Sequence, residues 1–295
     1  MTSNPLVCSA LAILFILIPG YAYPVFDLGY SSGLGSMSSG MADSSLGYEK
    51  YADGFFLNPS MPARTGRSSI STGYSVYEVI SARCSYLAGV YPLNANSVLS
   101  AGYVRFYYPG AAAINENIYM ISPSYRISDA VSAGVNIKYY STDSKLPFLS
   151  SGGLGLDFGI TARLREPLDG TGFNLSLVLY DFHSTLAWES GLKDTVGRKA
   201  AAGIDYYAPK DILLSFSCLS FSGRNMTYIM TGAEKWFKGG LFAVRGGYKK
   251  KLEGSSRYHA GASAAGPGIR FDYSVSAAPG LGDLQHKIGL SLSLL

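Results

Sequence analysis

The chain has 295 residues, of which 47% are hydrophobic and 15% are charged, and its net charge is +4. Soluble domains usually carry about 25% charged residues, so the composition argues against an ordinary soluble domain. The basic residues form no cluster, which argues against a nucleic-acid-binding protein. The sequence also gives no support for a metal-binding protein or for an enzyme. The three histidines, His183, His259 and His286, match no metal-ligand spacing. Without a serine-centred motif beside any of them, we expect no enzyme and no cofactor.

The first residues form an apolar stretch, Leu6 to Ile18, which is followed by small residues up to Ala22. The stretch is shorter than the ~20 residues that a membrane-spanning helix needs. An apolar stretch of this length before small residues is typical of a secretory signal peptide. We therefore predict that residues 1–22 are a signal peptide cleaved near Ala22, and that the mature protein is exported.

Residues 23–66 are predicted to form a plug, or hatch, at the start of the mature chain, and within them residues 51–63 show neither strand nor helix periodicity. Residues 29–47 are rich in Gly, Ser and Met, a composition also found in flexible linkers. Residues 51–63 read YADGFFLNPSMPA, with two adjacent phenylalanines and an Asn-Pro pair that favours a turn. These aromatic rings either contact a ligand or pack the plug against the wall around it. The predicted plug and ligand residues are Phe55, Phe56, Asn58 and Pro59.

Residues 67–295 are predicted to form a transmembrane antiparallel β-barrel of about 14 strands. Apolar residues recur with period two, which places alternate side chains on opposite faces of a sheet. Most predicted strands have about 10 to 12 residues, the length of a tilted membrane crossing, whereas strands of soluble proteins centre on about 5 to 6. Short turns alternate with longer connections, the longest at 181–198, as is typical of outer-membrane barrels. The predicted strands are 68–78, 82–92, 96–108, 117–128, 130–142, 153–165, 172–182, 197–208, 211–222, 226–237, 241–250, 257–265, 268–277 and 284–294.

In such a barrel the apolar face contacts lipid and the polar face lines the lumen. If Gly239-Gly240 is a hairpin turn, Glu234 lies opposite Arg245, and we predict an ion pair between them inside the barrel. Lumen ion pairs brace barrel walls more often than they bind ligands. Pro123 lacks the N–H that a closed barrel requires, which predicts a bulge or gap in its strand. The other predicted lumen charges are Arg105, Lys138, Asp157, Arg163, Asp205, Arg270, Asp272 and Lys287.

Several stretches resemble one family of membrane proteins. Gly33 to Ala42 is similar to a family opening rich in glycine and methionine, and Ala52 to Ala63 is similar to its "NPAGLA" segment. Residues 232–236 and 244–248 resemble its "GAEYW" and "LRAGY" strands, and residues 282–292 resemble its closing strand. With these motifs the chain resembles the PorV/PorQ family of outer-membrane proteins, which are relatives of the FadL fatty-acid channel.

The resemblance implies a fourteen-stranded barrel with an N-terminal plug in the outer membrane of a diderm bacterium. It also implies one of two roles. The first is the passage of hydrophobic, fatty-acid-like small molecules across that membrane. The second is service as an outer-membrane component of a type IX-like secretion system that acts through protein partners. The partners expected are thus outer-membrane lipid and either a hydrophobic small molecule or secretion-system proteins.

Overall fold

Alternating strands dominate the computed structural model, which describes residues 34–48, 51–110, 113–145, 149–165, 171–223, 226–280 and 283–294. The predicted signal peptide, residues 1–22, lies outside this part of the chain. In this part of the chain one α-helix, α1, spans Ser36–Gly40, and two 3₁₀-helices span Ala52–Phe56 and Pro62–Arg64. No helix in the described part of the chain is long and apolar enough to cross a membrane. The strands are β1 (Ser69–Tyr77), β2 (Ala82–Pro92), β3 (Ser97–Tyr108), β4 (Ile114–Arg126), β5 (Val131–Asp143), β6 (Ser151–Arg165), β7 (Gly172–Trp188), β8 (Lys193–Asp194), β9 (Lys199–Ala208), β10 (Ile212–Phe221), β11 (Met226–Phe237), β12 (Phe242–Lys251), β13 (Ser256–Gly266), β14 (Ile269–Ala278) and β15 (Asp283–Ser293).

The strands form a closed barrel. All pairings are antiparallel, and the last strand, β15, pairs with β1 along the whole length of β1, with Ser69 opposite Ser293 and Tyr77 opposite Gln285. β7 pairs with both β6 and β9, while the two-residue β8 pairs only with the end of β7. Fourteen strands therefore make up the wall, as the sequence predicts. Closure leaves no unpaired strand edge in the wall.

Over most of the wall, apolar side chains point outward and polar ones point into the lumen, whereas β2, β3 and β4 also carry apolar side chains on their inner face. In β5, Ile137 and Tyr139 are each 48% exposed on the outer face, whereas Asn136 and Lys138 are fully buried on the inner face. In β15, Ile288 is 56% exposed beside the buried Lys287. This arrangement is the inverse of a soluble sandwich and matches a barrel surrounded by lipid.

The predicted connection at 181–198 is wrong in its first half, because β7 continues to Trp188. Three residues of β7, Tyr180 to Phe182, lie opposite the single residue Asp157 of β6. The extra residues form a β-bulge in which Asp181 has a positive φ of 51°. The bulge interrupts the period-two pattern, and the strand resumes at His183, which pairs with Leu156.

Pro123 does not produce a bulge. β4 runs through this residue, which pairs with Leu99 of β3. On the β5 side the ladder omits Ser122 and Pro123 and resumes in the same register with Ser124 opposite Gly134. The irregularity is thus a two-residue gap in one ladder, as expected from the missing N–H of proline.

Residues 34–48 and 51–66, here called the N-terminal segment, contact inner-face residues on both sides of the barrel. Ser44 hydrogen-bonds Ser215 of β10. On another side, the carbonyl of Ser39 lies 2.7 Å from Nδ1 of His259 in β13. Met41 and Phe55 are fully buried. The segment therefore lies inside the lumen. The chain leaves the lumen through the end of the barrel at which β1 begins.

Candidate functional site

The inner face of β2, β3 and β4 is apolar over much of its length. Phe55 and Phe56 of the N-terminal segment lie against this face, with ring centroids 4.5 Å apart. The ring of Phe56 meets Tyr86 edge-on at 5.5 Å. A Cβ atom on Gly102 would lie 2.6 Å from the Phe55 ring, so the rings occupy space that a side chain of β3 would otherwise take. The buried apolar residues of these three strands are Ala82, Cys84, Tyr86, Ala88, Val90, Val98, Val104, Phe106, Ile118 and Met120.

The side chain of Asn58 holds the Asn58-Pro59 turn in place. Nδ2 of Asn58 donates to the carbonyl of Leu46 at 2.7 Å and to Oγ1 of Thr161 in β6 at 3.0 Å. Oδ1 of Asn58 accepts from the backbone N–H of Ser60 at 2.9 Å, which closes the turn. Ser60 Oγ lies 2.8 Å from the same Thr161 hydroxyl. One asparagine thus joins both halves of the segment to the wall.

Two glycines of the wall make room for this turn. Gly134 of β5 and Gly159 of β6 pair directly across the sheet. A Cβ on Gly134 would lie 2.0 Å from the carbonyl oxygen of Pro59, and one on Gly159 would lie 2.1 Å from Oδ1 of Asn58. The turn lies against bare backbone because both residues lack a side chain.

The same contact recurs under α1. Gly232 and Gly247 also pair directly, and Cβ atoms on them would lie 2.6 Å and 2.5 Å from the backbone of Met41. Gly261 approaches Gly40 of the helix, with 3.2 Å between an added Cβ and the Gly40 Cα. The inner wall is therefore matched to the backbone of the segment at several separate places.

A charged cluster lies on the inner faces of β11 to β14. The predicted pair forms: Nε of Arg245 donates to Oε2 of Glu234 at 2.5 Å, and the two residues lie directly opposite each other. Arg245 also reaches Asp272 at 3.2 Å, and Asp272 in turn accepts from Nε of Arg270 at 2.7 Å. Trp236 donates to Glu234 at 2.7 Å. These side chains neutralise one another and connect three strands, β11, β12 and β14.

A second charged cluster surrounds the bulge in β7. The ammonium of Lys138 lies 2.6 Å from Asp157 and 2.5 Å from Asp181, and all three side chains are fully buried. Tyr140 also hydrogen-bonds Asp181. The backbone N–H of Asp181 donates to Asp157 at 2.8 Å. Asp181 is a cluster member that the sequence does not predict, because alternation places it on no particular face.

The remaining predicted lumen charges divide into two groups. Asp205 and Lys287 are buried on the inner face, where Asp205 accepts from the N–H of Gly47 at 2.7 Å. Arg163 also points inward, near the barrel end, and lies 3.4 Å from Asn174. The prediction for Arg105 is wrong. Its side chain is exposed on the outer face, where it donates to Asn115 at 2.6 Å.

Arg105 points outward because the alternation of β3 places the residues on either side of it on the inner face. Val104 and Phe106 occupy the inner face of β3 and belong to the apolar surface described above. Arg105 therefore faces outward near the strand end. A long arginine side chain can extend from there to the polar boundary of a membrane.

Little open space remains between the segment and β7 to β12. A cavity of about 30 Å³ lies between the segment and β7 to β12, and its lining includes the apolar Leu46, Phe56 and Met230 and the charged Asp43, Lys199 and Lys249. Cavities that bind benzene in other proteins measure about 150 Å³. A molecule of that size therefore enters this cavity only if the segment or the lining side chains move.

No protein-family model and no curated protein matches the sequence. Solved structures match the fold over nearly all of the chain. The CymD monoaromatic hydrocarbon channel has a TM-score of 0.64 at 14% identity, covering 88% of this chain and 96% of its own. The Pseudomonas putida toluene transporter TodX has a TM-score of 0.58 at 11% identity, with coverage of 89% and 97%. A FadL homologue of Pseudomonas aeruginosa has a TM-score of 0.58 at 14% identity, with coverage of 93% and 99%. The chain thus has the fold of the FadL-type barrels.

Proposed function

We propose that the protein is an outer-membrane channel for hydrophobic small molecules, and that the N-terminal segment is the plug that closes its lumen. The observation that carries this proposal is the apolar inner face of β2, β3 and β4, against which Phe55 and Phe56 lie. Water-filled porins have polar interiors. A hydrophobic solute that binds to an apolar inner face removes apolar surface from water, and this makes binding favourable.

Two further observations support a membrane location. The outer face of the barrel is largely aliphatic and aromatic, with Leu154, Leu164 and Phe271 each more than half exposed. The first residues of the chain are those expected of an exported protein. The names of the similar structures describe a hydrocarbon channel and a toluene transporter, and we extend the general class of hydrophobic solutes to this chain.

Each part of the interior has a role in the proposal. The Asn58-Pro59 turn anchors the plug, and the rings of Phe55 and Phe56 cover the apolar face that a ligand would contact. The two charged clusters brace the wall, because their described members are engaged with one another. Passage requires the plug to move, since the cavity between the plug and β7 to β12 is small.

The alternative role, as a secretion-system component, needs external loops that bind protein partners. The longest such loop was expected at 181–198, but β7 takes up its first half and leaves a connection of residues 189–198 that includes β8. The three similar structures named above are channels or a FadL homologue. The PorV/PorQ relationship itself stays a proposal that rests on the sequence motifs.

A reversible cross-link between plug and wall tests the proposal. Ser60 Oγ and Thr161 Oγ1 lie 2.8 Å apart, so the double variant Ser60→Cys/Thr161→Cys places two sulfurs within reach of a disulfide. We measure uptake of radiolabelled toluene by cells that express the protein. The oxidised variant should lose most of the uptake above cells without the protein, and a reductant should restore it.

A matched control joins two wall strands and leaves the plug free. Ser71 and Ser291 pair across β1 and β15 with their hydroxyls 2.9 Å apart. The variant Ser71→Cys/Ser291→Cys should keep its uptake under oxidation. Both variants carry Cys84→Ala and Cys218→Ala to remove the native thiols. Wild-type uptake no greater than that of cells without the protein contradicts the channel function, and an oxidised plug cross-link without effect contradicts the plug.

A further inference from the structure

The barrel end at which β1 begins and β15 ends contains a cavity of about 390 Å³. Cationic side chains form one part of its lining, and aromatic and apolar side chains form another. Among the described residues, none of those lining this cavity is a carboxylate. We call it the arginine cavity, after the residues that distinguish it. Its lining includes Arg64, Arg67, Arg163, Tyr48, Tyr51 and Met61.

Among the described residues, these arginines have few partners of opposite charge. Arg64 is oriented by neutral acceptors, with Nε 3.1 Å from Ser132 Oγ and Nη1 3.0 Å from the carbonyl of Asp129. Its second terminal nitrogen, Nη2, has no hydrogen-bond partner within the described part of the chain. Arg163 makes one long contact, 3.4 Å from Asn174. Arg67 is exposed and forms no ion pair with any described residue. Guanidinium donors are thus left for a ligand.

No carboxylate among the described residues that line this cavity balances the charge of its three arginines. Burial, and then the charges of Arg163 and Arg126, hold the pKa of the Arg64 guanidinium below its ordinary value, and the smaller opposing effect of Asp129 does not reverse this. Asp205 does not line the cavity; it is fully buried and accepts from the N–H of Gly47 at 2.7 Å. In contrast, the arginines deeper in the lumen each lie within 3 Å of a carboxylate. The cavity is therefore a site where an anion is favoured.

The apolar part of the lining is held in place by contacts outside the cavity. Tyr48 packs edge-on against Tyr207 with ring centroids 4.7 Å apart. The guanidinium of Arg270 lies 4.1 Å from the ring centroid of Tyr51. Fixed aromatic rings provide an apolar contact area at low entropic cost. The cavity thus combines anion-binding donors with a preformed aromatic surface.

We propose that the arginine cavity binds organic acids, with the carboxylate held by Arg67 and Arg163 and the apolar body lying against Tyr48 and Met61. Guanidinium groups suit carboxylates because their planar fork donates two parallel hydrogen bonds. This site is separate from the apolar inner face of β2 to β4. The proposal goes beyond the channel function and does not depend on it, since binding is measured without transport.

Titration calorimetry of the full-length protein in a zwitterionic detergent tests the proposal, with benzoate, benzyl alcohol and inorganic phosphate as probes. Benzoate should bind more tightly than either of the others, because only benzoate has both the carboxylate and the ring. The variants Arg67→Gln and Arg163→Gln should each weaken benzoate binding several-fold, and the double variant at least tenfold. None should change the affinity for benzyl alcohol.

The control variant is Arg83→Gln, which removes an exposed arginine near the opposite end of the barrel. It should leave benzoate binding unchanged. Retained heat-modifiable gel migration shows that each variant still forms its barrel. Benzoate affinity that is unaffected in the Arg67/Arg163 double variant overturns the proposal. So does phosphate binding as tightly as benzoate, which would show that the apolar body has no part in recognition.

Discussion

A single methyl group on the inner wall should release the Asn58-Pro59 turn. In the variant Gly134→Ala the new Cβ would lie 2.0 Å from the carbonyl oxygen of Pro59 and 2.4 Å from its carbon. Both are backbone atoms, so no side-chain rotation relieves the clash. Because ordinary contact begins at 3.4 Å, the turn must retreat by about 1.4 Å.

That displacement breaks the contacts between the turn and β6. The hydrogen bond from Asn58 to Thr161, 3.0 Å, and that between Ser60 and Thr161, 2.8 Å, do not survive it. Each such bond contributes about 1 kcal/mol to stability. The free energy of opening the turn should therefore fall by about 2 kcal/mol, which corresponds to a roughly 30-fold increase in the open population.

Hydrogen exchange measured by mass spectrometry reports this opening directly. Peptides that cover residues 54–61 should exchange about 30-fold faster in Gly134→Ala than in the wild type. Peptides from β10 to β15 should be unaffected. The control is Gly89→Ala, since a Cβ on this strand glycine meets no atom within 4 Å. It should leave residues 54–61 unchanged and, because alanine loses less entropy than glycine in a strand, stabilise β2 slightly.

Unchanged exchange of residues 54–61 in Gly134→Ala would refute the reasoning, because it would show that the turn does not lie against the wall. An equal acceleration in Gly89→Ala would also refute it. In that case any added methyl group in the wall, and not contact with the turn, would be the cause.

Three further predictions concern the segment and its surroundings. Gly247→Ala should accelerate exchange of α1 whereas Gly246→Ala, on the outer face of the same strand, should not. Arg245→Met should lower the free energy of unfolding in urea by about 3–5 kcal/mol by leaving a buried carboxylate, and adding Glu234→Gln should recover much of that loss. Burial raises the pKa of Asp53 above 3.8, so its neutral form favours the folded segment at low pH, and this contribution is lost as the pH rises through the raised pKa. Asp53→Asn should therefore slow exchange of the segment at pH 8 and leave it unchanged near pH 3, as hydrogen exchange at the two pH values would show.

The wall is largely predictable from the sequence because each strand residue faces either the lipid or the lumen, and these two surroundings favour different side chains. β5 is predicted at 130–142 and spans Val131–Asp143, and the register that places Glu234 opposite Arg245 follows from one turn. Alternation fails where both faces are apolar or where it is interrupted. In β3, Leu99 points outward and Val104 inward, so hydrophobicity does not decide the side on which Arg105 lies.

The interior is less predictable because long-range contacts decide it. Asp181 contacts Lys138 because it lies in a bulge, and no local sequence pattern predicts the extra residues of that bulge. The wall glycines look like ordinary small residues until the segment is placed against them. Phe55, Asn58 and Pro59 stand out in the sequence, but their partners Gly102 and Gly134 do not.

The paired glycines of the inner wall have a mechanical consequence. Glycine weakens a strand because it packs no side chain against its neighbours, and here Gly134 faces Gly159 and Gly232 faces Gly247. At both places atoms of the segment, from its backbone and its side chains, fill the space that the missing side chains leave. The stiffness of the barrel at these places therefore depends on whether the segment is docked. A barrel whose segment has moved away has a softer wall than one whose segment is in place.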